Sequence, residues 1–300
     1  MNWIKRMNQA LRYIDGHLTE RIDSRAIASQ ANTSSFHFQK MFHILADVTL
    51  SEYIRNRRLT LAAREILGGA GILDTAIKYG YETQASFSRA FKRLHGFAPG
   101  MVRDPGAVIK AYPPLSFQLS VRGESPMEYE IRAMGEFTLA GIVREFSAKD
   151  GQNYRDIPLF RTELEDSGVI GRMGQAADRD GLFKGAIIGA CLGFSVEMDE
   201  FGYMLGFEPD ADYEFEEFRQ FSIPALTWAV FTGKGGSSED HQRIWKAIYG
   251  EWFPATDYIH DEGPEIEFNL VGSGNERFEI WIPVKKGNEA TYGQDYPKEQ

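Results

Sequence analysis

Two short runs near the amino end carry side chains suited to reading nucleic-acid bases. In Ser34-Ser35-Phe36-His37-Phe38-Gln39-Lys40-Met41-Phe42 and in Thr83-Gln84-Ala85-Ser86-Phe87-Ser88-Arg89-Ala90-Phe91, apolar residues recur at helical spacing among polar ones. Phe38, Met41 and Phe42 form an inward stripe in the first run, and Phe87, Ala90 and Phe91 in the second. Ser35, Phe36, Gln39 and Lys40 are then expected to face outward on one helix, and Gln84, Ala85, Ser88 and Arg89 on the other. Gln pairs bidentately with adenine, Arg does so with guanine, and an apolar ring meets the thymine methyl, so both sets can read base edges in a major groove. His37, Ser86, Lys92, Arg93, Arg55, Arg57 and Arg58 read as phosphate contacts or solvated charges.

A second chemistry gathers toward the other end. In Arg277-Phe278-Glu279-Ile280-Trp281-Ile282, strand alternation puts Phe278, Ile280 and Ile282 on one face and Arg277, Glu279 and Trp281 on the other. A carboxylate beside an indole attracts an organic cation through charge and through the ring face. Glu279 and Trp281 are therefore candidate ligand contacts. Trp228, Trp245, Tyr258 and Tyr203 are candidates to line the same cleft, and Glu267 is a second carboxylate by similar alternation. The opposing reading pairs Glu279 with Arg277 or Lys285 at the surface and leaves the aromatic residues to fill the core. The six histidines lack metal-ligand spacing, and Gly233-Lys234-Gly235-Gly236 fails the phosphate-loop pattern and reads as a strand-to-helix turn. No nucleophile–base pair can be argued from spacing. The expectation is no metal, no cofactor and no catalytic residue.

Helices must position the first set. Ile4, Met7, Leu11, Ile14 and Leu18 trace one face of an amphipathic helix, Asp23 is a cap for a short helix with Ile27 and Ala28, and Ser34 caps the next. A longer helix over 50–67 stops at Gly68-Gly69-Ala70-Gly71. The pattern then returns, with Ala76 after Ala28 at an offset of 48 and Phe91 after Phe42 at 49. Two short helices about a tight turn, the second one polar, describe a helix-turn-helix, and the sequence holds two.

Strands mixed with helices carry the second set. Strands are predicted over 128–144 with a turn at Gly135, over 185–197 and 202–208, and over 265–271 and 277–284; helices are predicted over 153–167 and around Ile244, Ile248 and Trp252, opened by Ser237 or Ser238. Glu130-Ile131-Arg132 aligns with Glu217-Phe218-Arg219 at an offset of 87, which suggests a duplicated unit. Two such units predict a pseudo-twofold α+β domain with a cleft between two sheets.

Charge separates the same two regions. The 300 residues carry a net −10, yet residues 1–106 hold 15 Lys+Arg against 9 Asp+Glu, and the remainder 18 against 34. That asymmetry points to one half that meets a polyanion and another that does not. With 43% hydrophobic residues the chain can bury real cores, and its single cysteine, Cys191, excludes an intrachain disulfide. No apolar stretch reaches the roughly 18 residues of a membrane span. A cytoplasmic location without membrane contact is expected.

The two motifs, together with Gly96-Phe97-Ala98-Pro99, resemble those of the AraC/XylS transcription regulators over about residues 1–105. The resemblance implies that both motifs sit in successive major-groove segments on one face of a duplex, joined by the long helix. Lys40 departs from the arginine often found there in the family, which weakens bidentate reading at that base pair. Ile244-Trp245-Lys246-Ala247-Ile248-Tyr249-Gly250-Glu251-Trp252-Phe253 and Phe278-Glu279-Ile280-Trp281-Ile282-Pro283-Val284 resemble the GyrI-like effector-binding domain, also found in multidrug-sensing regulators. By motif, Glu279 matches a late-strand glutamate that binds cations in that family.

The fold expected is thus an all-α N-terminal domain with two helix-turn-helix units joined by a long helix, followed by an α+β domain of two pseudo-repeated ββαββ-type units. The domains expected are 1–105 for DNA binding, 106–125 as linker, 126–286 for effector binding and 287–300 as a tail. The function expected is a ligand-controlled transcription regulator. Its partners would be double-stranded DNA and a small cationic or amphipathic effector, with RNA polymerase a further candidate. The alternatives are a small-molecule hydrolase in the second half, with Glu279 as general base, or a protein-contact module there.

Overall fold

Asp23, Thr49, Thr83 and Ser237 each place a side-chain oxygen on a backbone N–H just inside a helix, and these four caps punctuate the chain. The computed structural model describes residues 2–33, 35–118, 127–147, 152–195, 200–214, 217–270 and 277–287. The expected cap Ser34 and the expected tail beyond 287 lie outside the described residues. The chain divides into two compact units, Met1–Ser120 and Val121–Gln300.

The first unit is helical: α1 (Asn2–Gly16), α2 (Ser24–Gln30), α3 (Ser35–Ala46), α4 (Leu50–Leu67), α5 (Ile72–Lys78) and α6 (Gln84–His95), then a 3-10 turn at Pro99–Arg103. Ala28 and Ala76, Phe38 and Phe87, and Phe42 and Phe91 are all buried, so the spacing seen in the sequence marks core positions in both helix pairs. The α6 helix ends at Gly96 with φ of 91°, a left-handed turn that a Cβ would disfavour.

Residues 107–118, which fall within the expected linker, are bonded to the helices. Asn8 exchanges two hydrogen bonds of 2.8 Å with the backbone of Phe117. Arg57 Nη1 donates to Tyr112 O at 2.6 Å, Tyr112 N to Thr60 Oγ1 at 3.0 Å, and Leu115 N to the Tyr53 hydroxyl at 3.1 Å. Phe117 meets Phe42 edge-on with ring centres 6.4 Å apart. This strap has no regular secondary structure of its own, so side chains of α1 and α4 satisfy part of its backbone.

The second unit contains β1 (Tyr129–Met134), β2 (Phe137–Ser147), α7 (Asn153–Asp166), α8 (Val169–Ala176), β3 (Ile188–Ser195), β4 (Glu200–Phe207), β5 (Arg219–Ile223), β6 (Leu226–Lys234), α9 (Ser238–Ala247), a π-turn at Ile248–Trp252, α10 (Phe253–Ala255), β7 (Tyr258–His260), β8 (Glu265–Asn269) and β9 (Arg277–Lys286). The strands make one antiparallel sheet in the order β1-β6-β9-β8-β3-β4-β2-β5, with β7 also on β9. Where two separate sheets were expected, the described strands form one. Strand β8 pairs with β3 from Ile188↔Phe268 to Cys191↔Glu265 and joins the halves edge to edge, while β1 pairs with β6 of the later half.

The two faces differ. Helices α7 and α9 cover one: Phe160 of α7 packs on Phe146, and His241 of α9 stacks on Phe278 at 3.8 Å. The other face holds a second hydrophobic core, including Leu139, Ala190, Met204, Trp228, Val230, Ile266, Phe268 and Trp281, with Phe183 of the α8–β3 loop packed into it.

Candidate nucleic-acid interface and effector site

On α6, Thr83 Oγ1 accepts the Ser86 N–H at 3.1 Å and fixes the start of the helix. Phe87 and Phe91 are fully buried, which leaves Gln84, Ala85 and Arg89 exposed and Ser88 half-buried along one strip that continues to Lys92 and Arg93. Helix α3 presents its expected set less openly. Gln39 and Lys40 are half-buried, and the Phe36 side chain lies outside the description. Ser35 was expected outward but is 3% exposed, with its hydroxyl 3.4 Å from Gln39 Nε2. Its spacing of three and seven from Phe38 and Phe42 puts it on the buried stripe.

Two of the expected phosphate contacts are structural instead. Arg57 Nε pairs with Asp15 Oδ1 at 2.7 Å, the two side chains only 8% and 19% exposed. Arg58 donates to Leu18 O at 2.8 Å and to Glu20 O at 2.6 Å, tying α4 to the connection between α1 and α2. Burial lowers the Arg58 pKa from its ordinary value. Arg57 and Arg58 therefore spend their donors on the fold.

In the second unit the expected ligand set does not converge. Trp281 and Trp228 are buried in the core on the face away from the helices, ring centres 5.8 Å apart, and Glu279 lies on that face with its Oε2 accepting Trp281 Nε1–H at 2.7 Å. Trp245 and Tyr258 belong to the helix-covered side, Tyr258 stacking on Trp252 at 5.7 Å. Alternation on β9 gives the reason: the helix packs against Phe278, so a helix-borne tryptophan cannot share a face with Glu279.

The helix-covered face gathers a different group. Registers Cys191↔Glu265, Gly189↔Glu267 and Cys191↔Tyr203 bring these side chains to one side of neighbouring strands. Trp245 Nε1 donates to Glu267 Oε2 at 3.2 Å, and His241 Nδ1 lies 3.7 Å from the same oxygen. The Glu267 side chain is 35% exposed, so it reaches solvent at the rim of an aromatic wall. Trp245, Tyr249 and Phe253, four residues apart, stack in series at 5.8 and 5.6 Å. Beneath them Glu265 is 3% exposed; it accepts the Tyr249 hydroxyl and lies 3.2 Å from His260 Nε2. Burial, with Glu267 beside one and Glu265 beside the other, pushes the phenols of Tyr203 and Tyr249 well above their ordinary value, so both stay protonated. Gly189 has no Cβ, and one built there would overlap the Tyr203 hydroxyl.

Chemically this is a carboxylate set against stacked aromatic rings. It can hold an organic cation by charge and by ring faces. The signal in the sequence was Glu265-Ile266-Glu267-Phe268, two carboxylates on one face of a strand whose other face is apolar.

Comparison with known proteins agrees with both units. Residues 130–284 match the family described as integron-associated effector binding protein, and residues 27–104 the helix-turn-helix domain family. The transcriptional activator AarP of Providencia stuartii is 34% identical over 98 residues, covering 32% of this chain and 73% of AarP. The transcriptional regulator Rob of Salmonella typhimurium is 29% identical over 156 residues, and the chain spans about half the length of that relative (51%). The solved structure of SAV2435 bound to tetraphenylphosphonium is similar to 53% of this chain and 94% of that one, with 21% identity and a TM-score of 0.47. The two family matches and the likeness to AarP define a DNA-binding transcription regulator with an effector-binding domain. The chain belongs to the AraC-type helix-turn-helix regulators, and its second half to the integron-associated effector-binding family. Among the described residues no helix is long and apolar enough to cross a membrane.

Proposed function

We propose that this regulator reads DNA with two helix-turn-helix units, α2–α3 and α5–α6, placed in major-groove segments about one helical turn apart. Gln84, Ala85, Ser88 and Arg89 read bases from the second unit, and Gln39 and Lys40 from the first. We further propose that the second unit of the chain binds a small organic cation on Glu267, between Trp245 and Tyr203, and so controls transcription. The observation that carries the effector assignment is the Glu267 carboxylate, part exposed and held by an indole N–H at the edge of a stacked aromatic wall.

Benzyltrimethylammonium titrated into the full chain tests the site through quenching of tryptophan emission. Glu267→Gln should weaken binding about tenfold or more, whereas Glu279→Gln should leave it unchanged. Equal affinity in wild type and Glu267→Gln would refute the assignment. For the DNA side, footprinting should show two protected segments spaced by one turn, with binding that falls steeply as salt rises. Protection of a single segment would overturn the two-unit reading.

A further inference from the structure

The last turn of α6 carries a buried histidine. His95 follows Phe91 by four residues and Phe87 by eight, so it continues their inward stripe and is only 4% exposed. Its ring packs on Phe91 with centres 4.3 Å apart, and Phe97 lies 6.1 Å away. Across the interface its Nε2–H donates to the Leu59 carbonyl, in the middle of α4, at 3.3 Å. A carbonyl only accepts, so Nε2 carries the proton and Nδ1 is the bare nitrogen. Nδ1 is buried and has no hydrogen-bond partner among the described residues. The bond to Leu59 is the only side-chain hydrogen bond between α4 and α6 among those residues.

A second proton has no acceptor there. On Nδ1 it would be a buried, unpaired donor on a charged ring among phenylalanines. Lys110 of the strap faces the ring with a like charge, and among the described residues no carboxylate bears on it. The other cations on the packed elements are turned elsewhere. Arg57 is held by Asp15 and the Tyr112 carbonyl, Arg58 by the Leu18 and Glu20 carbonyls, and Arg103 by the Ile66 carbonyl. Lys92 and Arg93 lie on the exposed strip of α6. Burial first, then Lys110, holds the His95 pKa below its ordinary value, against the pull of the Leu59 carbonyl.

We propose that His95 is a positioning residue for DNA reading: its neutral imidazole ties the end of α6 to α4, and acid loosens that tie and releases the DNA segment that α6 holds. Thr83 fixes the start of the helix, so freeing its end swings Arg89 further than Gln84. The unfolded chain takes up this proton near the ordinary histidine value and the folded chain only at lower pH. The packing of α6 is therefore at full strength above the ordinary value and weakens as pH falls toward the lower one.

The proposal rests on α6 being a DNA-reading helix, and two readouts keep its failure apart from the failure of that reading. Full-length protein enriches its own duplex from a random pool at about pH 8, and affinity for that duplex is followed down to about pH 5.5. Hydrogen exchange in α6, corrected for the intrinsic rate, is followed over the same range without DNA. Both should weaken in wild type, affinity by about tenfold, with footprint protection lost first over the segment under α6. His95→Phe fills a similar space without a titrating nitrogen, and His95→Gln keeps a donor for the Leu59 carbonyl. Both variants should hold their α6 protection and their affinity in acid. Loss of α6 protection as steep in the variants as in wild type, or wild-type protection that ignores pH, would overturn the proposal. If no duplex is enriched, the DNA reading of α6 fails and exchange alone decides the anchor by the same criteria. Circular dichroism checks each fold, and His95→Gln carries the comparison if the phenyl ring is not accommodated.

Discussion

Replacing Arg57 by leucine separates a structural from a DNA-contacting role for this residue. The substitution removes a 2.7 Å bond to Asp15 and a 2.6 Å bond to the Tyr112 carbonyl, and leaves the Asp15 carboxylate with the Tyr53 hydroxyl at 3.1 Å. Breaking a buried pair by deleting one partner costs about 3–5 kcal/mol. Asp15 is 19% exposed and Tyr112 is at the surface, so water recovers part of this and the loss should be about 2–3 kcal/mol. For a unit of this size that corresponds to a fall in Tm of roughly 10 °C. Calorimetry of the full chain should show the loss, and a cycle with Asp15→Asn should give a coupling of about 2 kcal/mol. DNA binding in the cold, where the variant stays folded, should keep its salt dependence. An unchanged Tm together with a salt slope reduced by about one would show that Arg57 contacts phosphate and that the reasoning is wrong.

Other positions give independent checks. Burial pushes the Tyr53 phenol up to about 12 from 10.0, so the folded chain keeps a proton that the unfolded chain releases. Stability is full below the lower value and falls as pH rises toward the higher one; Tyr53→Phe should flatten that decline in pH-dependent melting, and an unaltered slope would count against it. Gly96→Ala should cost about 1 kcal/mol by conformation alone, since φ is positive and nothing lies within 4 Å of the added methyl. Gly189→Ala should force the Tyr203 hydroxyl aside, cost about 1–3 kcal/mol and weaken cation binding at Glu267; a variant as stable as wild type would mean the site is open at that point.

Much of the helical unit could be read from its letters. Asp23 caps a helix and the phenylalanine stripes fall in the core, because caps and helical spacing are local features. The strap escaped notice because its partners, Asn8 and Tyr53, lie far back in the chain, while its prolines and polarity resemble those of any tether. In the sheet, alternation correctly paired Glu279 with Trp281 and opposed them to Phe278. It failed in grouping Trp245 with them, since the face a helix residue meets depends on which strands lie beneath it. The guanidinium of Arg132 over the Trp281 ring was invisible for the same reason: its place follows from β1 joining β6, a pairing between distant segments.

That pairing also bears on how the molecule is made. Residues 129–134 leave the ribosome about a hundred residues before the strand that will receive them, Leu226–Lys234. During synthesis, helices α1 to α6 can therefore complete their own contacts while the first sheet segment waits, solvated, for a partner not yet translated. The exposed, charged character of β1, with Glu130 and Arg132 on one side, suits that interval, because it gives a waiting strand little incentive to pair with a neighbouring nascent chain.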